Sequence, residues 1–362
     1  MPIEKIDIDH FLSLPQELPV IDVRSPGEYN HAHLPGAFNV PLFTDEERAT
    51  IGTAYKKQNR RAAVDHGLEF FSERMKTIPG EIENIISGWK QKNESSALQA
   101  RDKKPGIVIY CWRGGMRSGA VAWLMSLYGD KIYTLNGGYK TFRRWALAQF
   151  EKKYFLRVLG GYTGSGKTDI LKELKKNGKT IIDLEDLANH KGSAFGSLGE
   201  QPQPSHEMFE NRLALQLWEV NKHNRDNQEI WIEDESVHIG TVGIPKVFWQ
   251  QMQDSPLYFI DIPFCERVGY IEKTYSIFDK KSLIACTLKI QKRLGGLNTK
   301  NAIQFFSENN FREAFSILIE YYDKMYSKSL NNRRNFKSLK RVTYNKVDCV
   351  DAAKKLSLSI LK

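Results

Sequence analysis

Two stretches of this sequence combine residue types and spacing that could do chemistry. The first is Cys111-Trp-Arg-Gly-Gly-Met-Arg-Ser118, which follows the apolar run Ile107–Tyr110 directly. A thiol placed there lies at the carboxyl end of a predicted strand, where open α/β sheets bind their ligands. Gly114 and Gly115 let backbone N–H groups turn inward, and a helix starting near Ser118 adds positive potential at its N-terminus. Arg113 and Arg117 strengthen that field. A thiol of ordinary pKa, about 8.5, is drawn toward thiolate in such surroundings, and the loop suits an anion bonded to or attacked by the sulfur. The competing reading is a buried structural cysteine, against which the paired glycines and the two arginines argue.

The second stretch is Gly161-Tyr-Thr-Gly-Ser-Gly-Lys-Thr168, which fits G-x-x-x-x-G-K-[ST] between a predicted strand and a predicted helix. Gly161, Gly164 and Gly166 allow the tight curl that aims N–H groups at phosphate oxygens, with Ser165 inside it. Lys167 supplies a point charge, and the Thr168 hydroxyl would ligate any Mg²⁺ that accompanies the phosphates. An acid belongs at the end of a neighbouring strand, and Ile230-Trp-Ile-Glu-Asp-Glu235 offers Glu233 and Asp234 for an acid/base or Mg²⁺ role. Solvated turn acids are the alternative there. His190, Ser193 and the Gly/Ser-rich run through Gly199 form a candidate lid, and Arg293 beside Gly295-Gly296 is a basic residue that could reach a phosphate.

These loops need strands and helices to hold them. Pro19–Val23, Ala37–Val40, Gly106–Tyr110 and Lys131–Leu135 read as short strands, with helical stretches over 45–89 and 120–127. Tyr154–Leu159, Thr180–Leu184, Glu229–Ile232 and Leu257–Ile262 continue the alternation, and the chain turns mostly helical after about Arg267. Strand–helix alternation predicts an α/β fold of parallel sheets with flanking helices. A chain of 362 residues exceeds one ordinary domain, so the reading is three parts: 1–145, 146–320 and a basic helical segment 321–362 packed on the second.

Charge and cysteine usage narrow the class. From Glu320 to Lys362 eleven Lys or Arg face four acids, so this end carries most of the net +10. Tyr326, Phe336 and Tyr344 interleave the basic residues, a pattern suited to a phosphate backbone with stackable bases. Arg333, Arg334, Lys337, Lys340 and Arg341 are therefore candidate RNA contacts, against the alternative of a solvated basic face. Four scattered cysteines, Cys111, Cys265, Cys286 and Cys349, build neither a disulfide framework nor a zinc site. No apolar run is long enough to span a membrane and the N-terminus has no signal-peptide pattern, so a cytoplasmic location is expected.

The segments Val20-Ile-Asp-Val-Arg24, His33-Leu-Pro-Gly-Ala37, the Cys111 loop and Leu135-Asn-Gly-Gly138 resemble a rhodanese domain, whose loop cysteine carries a persulfide or related chalcogen adduct. One departure stands out. Arg117 lies six positions after Cys111, one more than ordinary rhodanese loops have and the spacing of rhodanese-fold phosphatases. A rhodanese-like part joined to a P-loop part, together with Tyr139-Lys-Thr-Phe-Arg-Arg144, Asn189–Gly196, Glu233-Asp-Glu-Ser236 and Arg293-Leu-Gly-Gly296, resembles the bacterial tRNA 2-selenouridine synthase family over essentially the whole chain. The resemblance implies a transferase that exchanges the sulfur of wobble 2-thiouridine in tRNA for selenium. It further implies S-geranylation from geranyl diphosphate, then displacement by selenium from selenophosphate, with the selenophosphate synthetase a candidate to deliver the donor. No tightly bound cofactor and no protein-held metal are implied. The alternative is a rhodanese-fold cysteine phosphatase or sulfurtransferase joined to a nucleotide-binding P-loop domain.

Overall fold

The computed structural model describes residues 3–14, 18–92, 106–223, 229–331 and 338–358. Its contacts divide the chain into two compact units, Met1–Ala148 and Gln149–Lys362.

The first unit runs β1 (Glu4–Ile6), α1 (Ile8–Ser13), β2 (Val20–Asp22), α2 (Pro26–His31), β3 (Phe38–Asn39), α3 (Asp45–Lys57), α4 (Arg60–Arg74), α5 (Ile78–Lys92), β4 (Ile107–Tyr110), α6 (Met116–Ser126), β5 (Ile132–Leu135) and α7 (Gly138–Gln149). Its strands form one parallel sheet in the order β1-β5-β4-β2-β3, with β4 at the centre. A strand buried on both faces needs a mostly apolar run, and β4 and β5 are buried at every position, with Thr134 of β5 a buried polar residue among them. The core joins Ile21, Ile107 and Ile109 of the sheet to Val121 and Met125 of α6 and to Phe71, Ile78 and Ile82. The helical stretch expected over 45–89 is three helices. Thr44 and Glu47 form a capping box at the start of α3, and Asn59, in extended backbone, accepts from the Ala62 N–H to start α4. The edge strand β1, three residues long, has too little pattern to be read from sequence.

The second unit runs β6 (Leu156–Gly161), α8 (Lys167–Lys176), β7 (Thr180–Ile182), α9 (Leu184–Ala188), α10 (His206–His223), β8 (Ile230–Glu233), β9 (His238–Ile239), β10 (Val242–Gly243), α11 (Lys246–Asp254), β11 (Leu257–Asp261), α12 (Phe264–Tyr275), α13 (Lys280–Lys289), α14 (Gln291–Leu294), α15 (Gly296–Ser307), α16 (Phe311–Asn331), β12 (Leu339–Thr343) and α17 (Cys349–Leu358). A parallel sheet in the order β12-β11-β6-β8-β7 carries the unit, and β9 and β10 make a small antiparallel hairpin. Leu159, Trp231, Tyr258 and Ile260 pack on Ile170, Leu171 and Leu174 of α8 and on Ala352, Ala353 and Leu356 of α17. A second cluster, with Phe195, Phe306 and Phe315, lies among α13, α15, α16 and the segment after His190.

The C-terminal region is helical in α16 and α17, as expected, but it also supplies a strand. β12 pairs with β11 from Leu339 to Thr343, so the last part of the chain completes the P-loop sheet. The run Leu339-Lys-Arg-Val-Thr343 has no period-two alternation, with Lys340 and Arg341 adjacent and exposed, so the strand could not be read from the sequence.

Candidate functional sites

The Cys111 loop is built by β4, the turn after β5 and the start of α6. Cys111 is buried at 3% exposure, and its Sγ lies 3.3 Å from Ser118 Oγ, one turn into α6. Burial opposes the thiolate. Hydrogen bonds from the Ser118 hydroxyl and N–H, the charge of Arg117 and the Arg113 N–H outweigh it and hold the thiol below its ordinary value. The loop closes on a second glycine turn: the N–H groups of Tyr139 and Lys140 donate to the carbonyls of Cys111 and Trp112 at 2.9 and 3.0 Å. Gly114 and Gly138 both have positive φ, and a methyl at Gly138 would lie 2.2 Å from the Cys111 carbonyl oxygen. Only glycine lets these two backbones meet.

Arg113 and Gly115 are exposed on the rim of this loop. Arg117 is directed elsewhere: its Nη1 donates to Glu28 at 2.7 Å, and Arg48 reaches the same carboxylate at 3.1 Å. Below the loop lies a buried ion pair. Arg24, 1% exposed, donates to both oxygens of Asp22 and to the Ala32 carbonyl, while Tyr110 donates to Asp22 at 2.7 Å. The guanidinium sits 4.1 Å from the centre of the Tyr139 ring. This group ties β2, the end of α2, β4 and α7 into one support for the loop.

In the second unit Gly161–Thr168 curls between β6 and α8, with Gly164 and Gly166 at positive φ. Lys167 Nζ donates to the Gly161 carbonyl at 3.1 Å and lies 5.3 Å from the centre of the Tyr326 ring. The Ser165 hydroxyl is buried inside the loop with no partner among the described residues. Thr168 donates to Glu185 at 2.7 Å. Arg267, 4% exposed, braces the loop from α12: it donates to the Thr163 carbonyl at 3.0 Å and to both carboxylate oxygens of Asp323 at 2.9 and 2.7 Å. Tyr162 meets Phe259 edge-on at 5.0 Å and Tyr326 at 6.4 Å, so aromatic rings flank the cationic loop. From the C-terminus, Cys349 Sγ reaches the Gly166 carbonyl at 3.8 Å.

The acids divide by depth. Glu233 is fully buried at the end of β8 and accepts from the Leu184 N–H at 2.9 Å, its other oxygen buried without a partner among the described residues. Burial first, then Asp183 and Glu185, push its carboxyl well above the usual range. Asp234 is half-buried, and its carbonyl accepts from Tyr326 at 3.0 Å. The acids that the spacing argument did not single out are Glu185 and Glu235. Burial raises both, and the proximity of Glu185 helps to push Glu235 up to about 8, while Lys167 opposes the shift in each. The signal for Glu235 was present, since residues two apart on an extended chain share a face.

The segment expected as a lid is anchored in the second unit. Phe195 is buried in the aromatic cluster, Ala194 N–H donates to Tyr322, and Ser193 accepts from the Phe195 N–H. Gly192, at positive φ, passes closely over the carboxylates of Glu185 and Glu235. His190 is buried against Gly196, and burial together with Lys289 lowers its pKa. Arg293 stands exposed on α14. Among the candidate RNA contacts, Arg333, Arg334 and Lys337 lie outside the described residues. Lys340 lies over the Tyr258 ring at 5.2 Å, and Arg341 pairs with Asp261 at 3.2 Å, both on β12. No helix among the described residues is long and apolar enough to cross a membrane.

A parallel sheet with a cysteine loop, followed in the same chain by a P-loop sheet, defines a two-domain enzyme of the rhodanese-plus-P-loop class. Residues 9–144 match the rhodanese-like domain family, and residues 155–355 match the tRNA 2-selenouridine synthase AAA domain family. The chain is 32% identical to the tRNA 2-selenouridine synthase of Nitrosomonas europaea, over 88% of this chain and 90% of that one. It is 34% identical to that of Bdellovibrio bacteriovorus, over 92% and 94%, and 33% identical to that of a Sulfurovum species, over 85% and 87%. The chain belongs to the tRNA 2-selenouridine synthase family.

Proposed function

We propose that this chain replaces the sulfur of wobble 2-thiouridine in tRNA with selenium in two steps, one for each loop. In the first, the thiocarbonyl sulfur attacks C1 of geranyl diphosphate, an S–C bond forms, diphosphate leaves and the base loses its N3 proton. The second is displacement at C2: the selenium of selenophosphate attacks C2, a C–Se bond forms and the geranyl thiolate leaves and takes up a proton. Water then cleaves the Se–P bond, releasing phosphate and leaving the selenocarbonyl with its N3 proton restored. Alkylation makes this feasible, because it converts sulfur from a poor leaving group into a better one.

The observation that carries the reading is the pair of anion cradles in separate units, one with a thiol and one with a lysine. In the P-loop, Lys167 and the inward N–H groups would stabilise charge on the departing diphosphate. Tyr162 and Tyr326 beside Lys167 supply the apolar surface that a prenyl chain needs. A Mg²⁺ accompanying the diphosphate would take the Thr168 hydroxyl now held by Glu185. Among the described residues no group of three or more His, Cys, Asp or Glu converges to hold a metal by itself. In the first unit the lowered Cys111 thiol, shielded from water, suits the handling of selenium. A phosphatase would need Arg117 on its phosphate, and Glu28 holds that guanidinium instead. The basic C-terminal segment, including Lys340 and Arg341, would add affinity for tRNA.

The test is a crossed pair of variants assayed by mass spectrometry of the tRNA. Cys111→Ala should still geranylate thiolated tRNA and fail to insert selenium. Lys167→Ala should fail to geranylate, yet exchange sulfur for selenium on tRNA supplied already geranylated. Loss of geranylation in Cys111→Ala, or normal geranylation in Lys167→Ala, refutes the assignment of one step to each loop.

A further inference from the structure

The rim of the Cys111 loop and the adjoining α7 carry the exposed cations Arg113, Lys140 and Arg144, while Arg117 is paired with Glu28. Lys140 and Arg144 lie four residues apart on α7, so they share one side of that helix, and both are exposed. The Lys140 N–H donates to the Trp112 carbonyl at 3.0 Å, which places the start of this basic side at the rim of the cysteine loop.

Trp112 is the second half of the observation. It follows the sulfur-bearing residue directly, yet it is 38% exposed. Its ring is backed by Tyr139 at 5.6 Å and by the buried Arg24 guanidinium at 5.8 Å. An indole held rigid on one side and open on the other is a stacking platform whose ordering cost is already met in folding. Met116, 63% exposed, adds a polarizable contact at the start of α6. Cys111, by contrast, is 3% exposed, so a base has to leave its stack before its C2 edge could approach the sulfur.

We propose that Trp112, Lys140 and Arg144 form a docking surface for single-stranded RNA, with a base stacked on the indole and the flanking phosphates held along α7. The inference rests on the function proposed above, because that function requires a nucleotide to reach Cys111. It assigns to the rhodanese-like unit an RNA contact of its own, distinct from the basic C-terminal segment. Arg113, exposed on the same rim, would meet the phosphate nearest the flipped base.

The test uses the full chain and a labelled anticodon stem-loop RNA carrying 2-thiouridine, with binding followed by fluorescence anisotropy from low to high salt. The double variant K140Q/R144Q should flatten the log–log salt slope by roughly 1.4, about 0.7 for each single-strand phosphate released. Trp112→Ala should weaken binding about tenfold without changing the slope, and Trp112→Phe should restore most of it. Circular dichroism and melting confirm that each variant is folded, and Lys140 and Arg144 are exposed enough to be replaced safely. Bound RNA should also slow iodoacetamide alkylation of Cys111 in the wild type, and this protection should fall in K140Q/R144Q at the same RNA concentration. If the wild type binds the RNA while K140Q/R144Q keeps its slope and its protection, the docking surface is refuted and the function stands. If Trp112→Ala binds as the wild type does, the platform is refuted. A wild type that binds and converts no thiolated RNA refutes the functional reading itself.

Discussion

Arg117 and Glu28 are 89 positions apart in sequence and joined by a 2.7 Å hydrogen bond in the fold. The bond links α6, which begins at the cysteine loop, to α2, whose first turn Glu28 helps to cap. It also decides what Arg117 does. The guanidinium acts on Cys111 through its field, while its Nη1 is spent on the carboxylate.

Arg117→Gln should therefore raise the pKa of Cys111, since the thiolate loses a favourable charge. The pH profile of iodoacetamide alkylation should move upward, with alkylation several-fold slower at neutral pH. An unmoved profile would leave Ser118 and the loop N–H groups as the whole cause of the lowered thiol.

Glu28 itself predicts an acid limb in the stability of the first unit. Burial tends to raise its pKa, but the hydrogen bond and charge of Arg117, followed by Arg48, outweigh burial and lower it. A lowered folded-state pKa contributes stability that is present above the ordinary carboxylate value and is lost as pH falls through the folded one. Glu28→Gln should cost about 1–2 kcal/mol at neutral pH and almost nothing in strong acid. Urea unfolding at neutral and at acidic pH measures both.

Gly138→Ala tests the crossing of the two glycine turns. Its φ of 57° is unfavourable for a side chain, and the added methyl would lie 2.2 Å from the Cys111 carbonyl oxygen and 2.5 Å from the Gly114 nitrogen. Backbone strain and the displaced loop should together cost about 3 kcal/mol or more. Selenium insertion should be lost with the loop geometry. Full stability in this variant would show that the turns can separate freely.

Asp323→Ala should leave the buried Arg267 guanidinium without its carboxylate. Removing one partner of a buried pair typically costs about 3–5 kcal/mol. Because Arg267 also holds the Thr163 carbonyl, geranyl diphosphate should bind more weakly in whatever fraction remains folded. Thermal unfolding with and without geranyl diphosphate reads both effects.

The sequence alone determined the two loops and the strands that precede them. Cys111 and Lys167 stand in local patterns, a glycine-rich turn after an apolar run and before a helix, and such patterns need no long-range information. The parallel α/β class followed from the same alternation. Only the tertiary structure decided which distant residues complete each site. Arg117 turns to Glu28, Glu185 takes the Thr168 hydroxyl, Arg267 meets Asp323 under the loop, and β12 joins the sheet through Arg341 and its neighbours. These pairings span from 17 to 89 residues. They depend on which helix packs against which strand, and burial then sets the charge state of groups such as Glu233. Residue type announces that a group can ionise; the desolvation that decides whether it does exists only once the chain has folded around it.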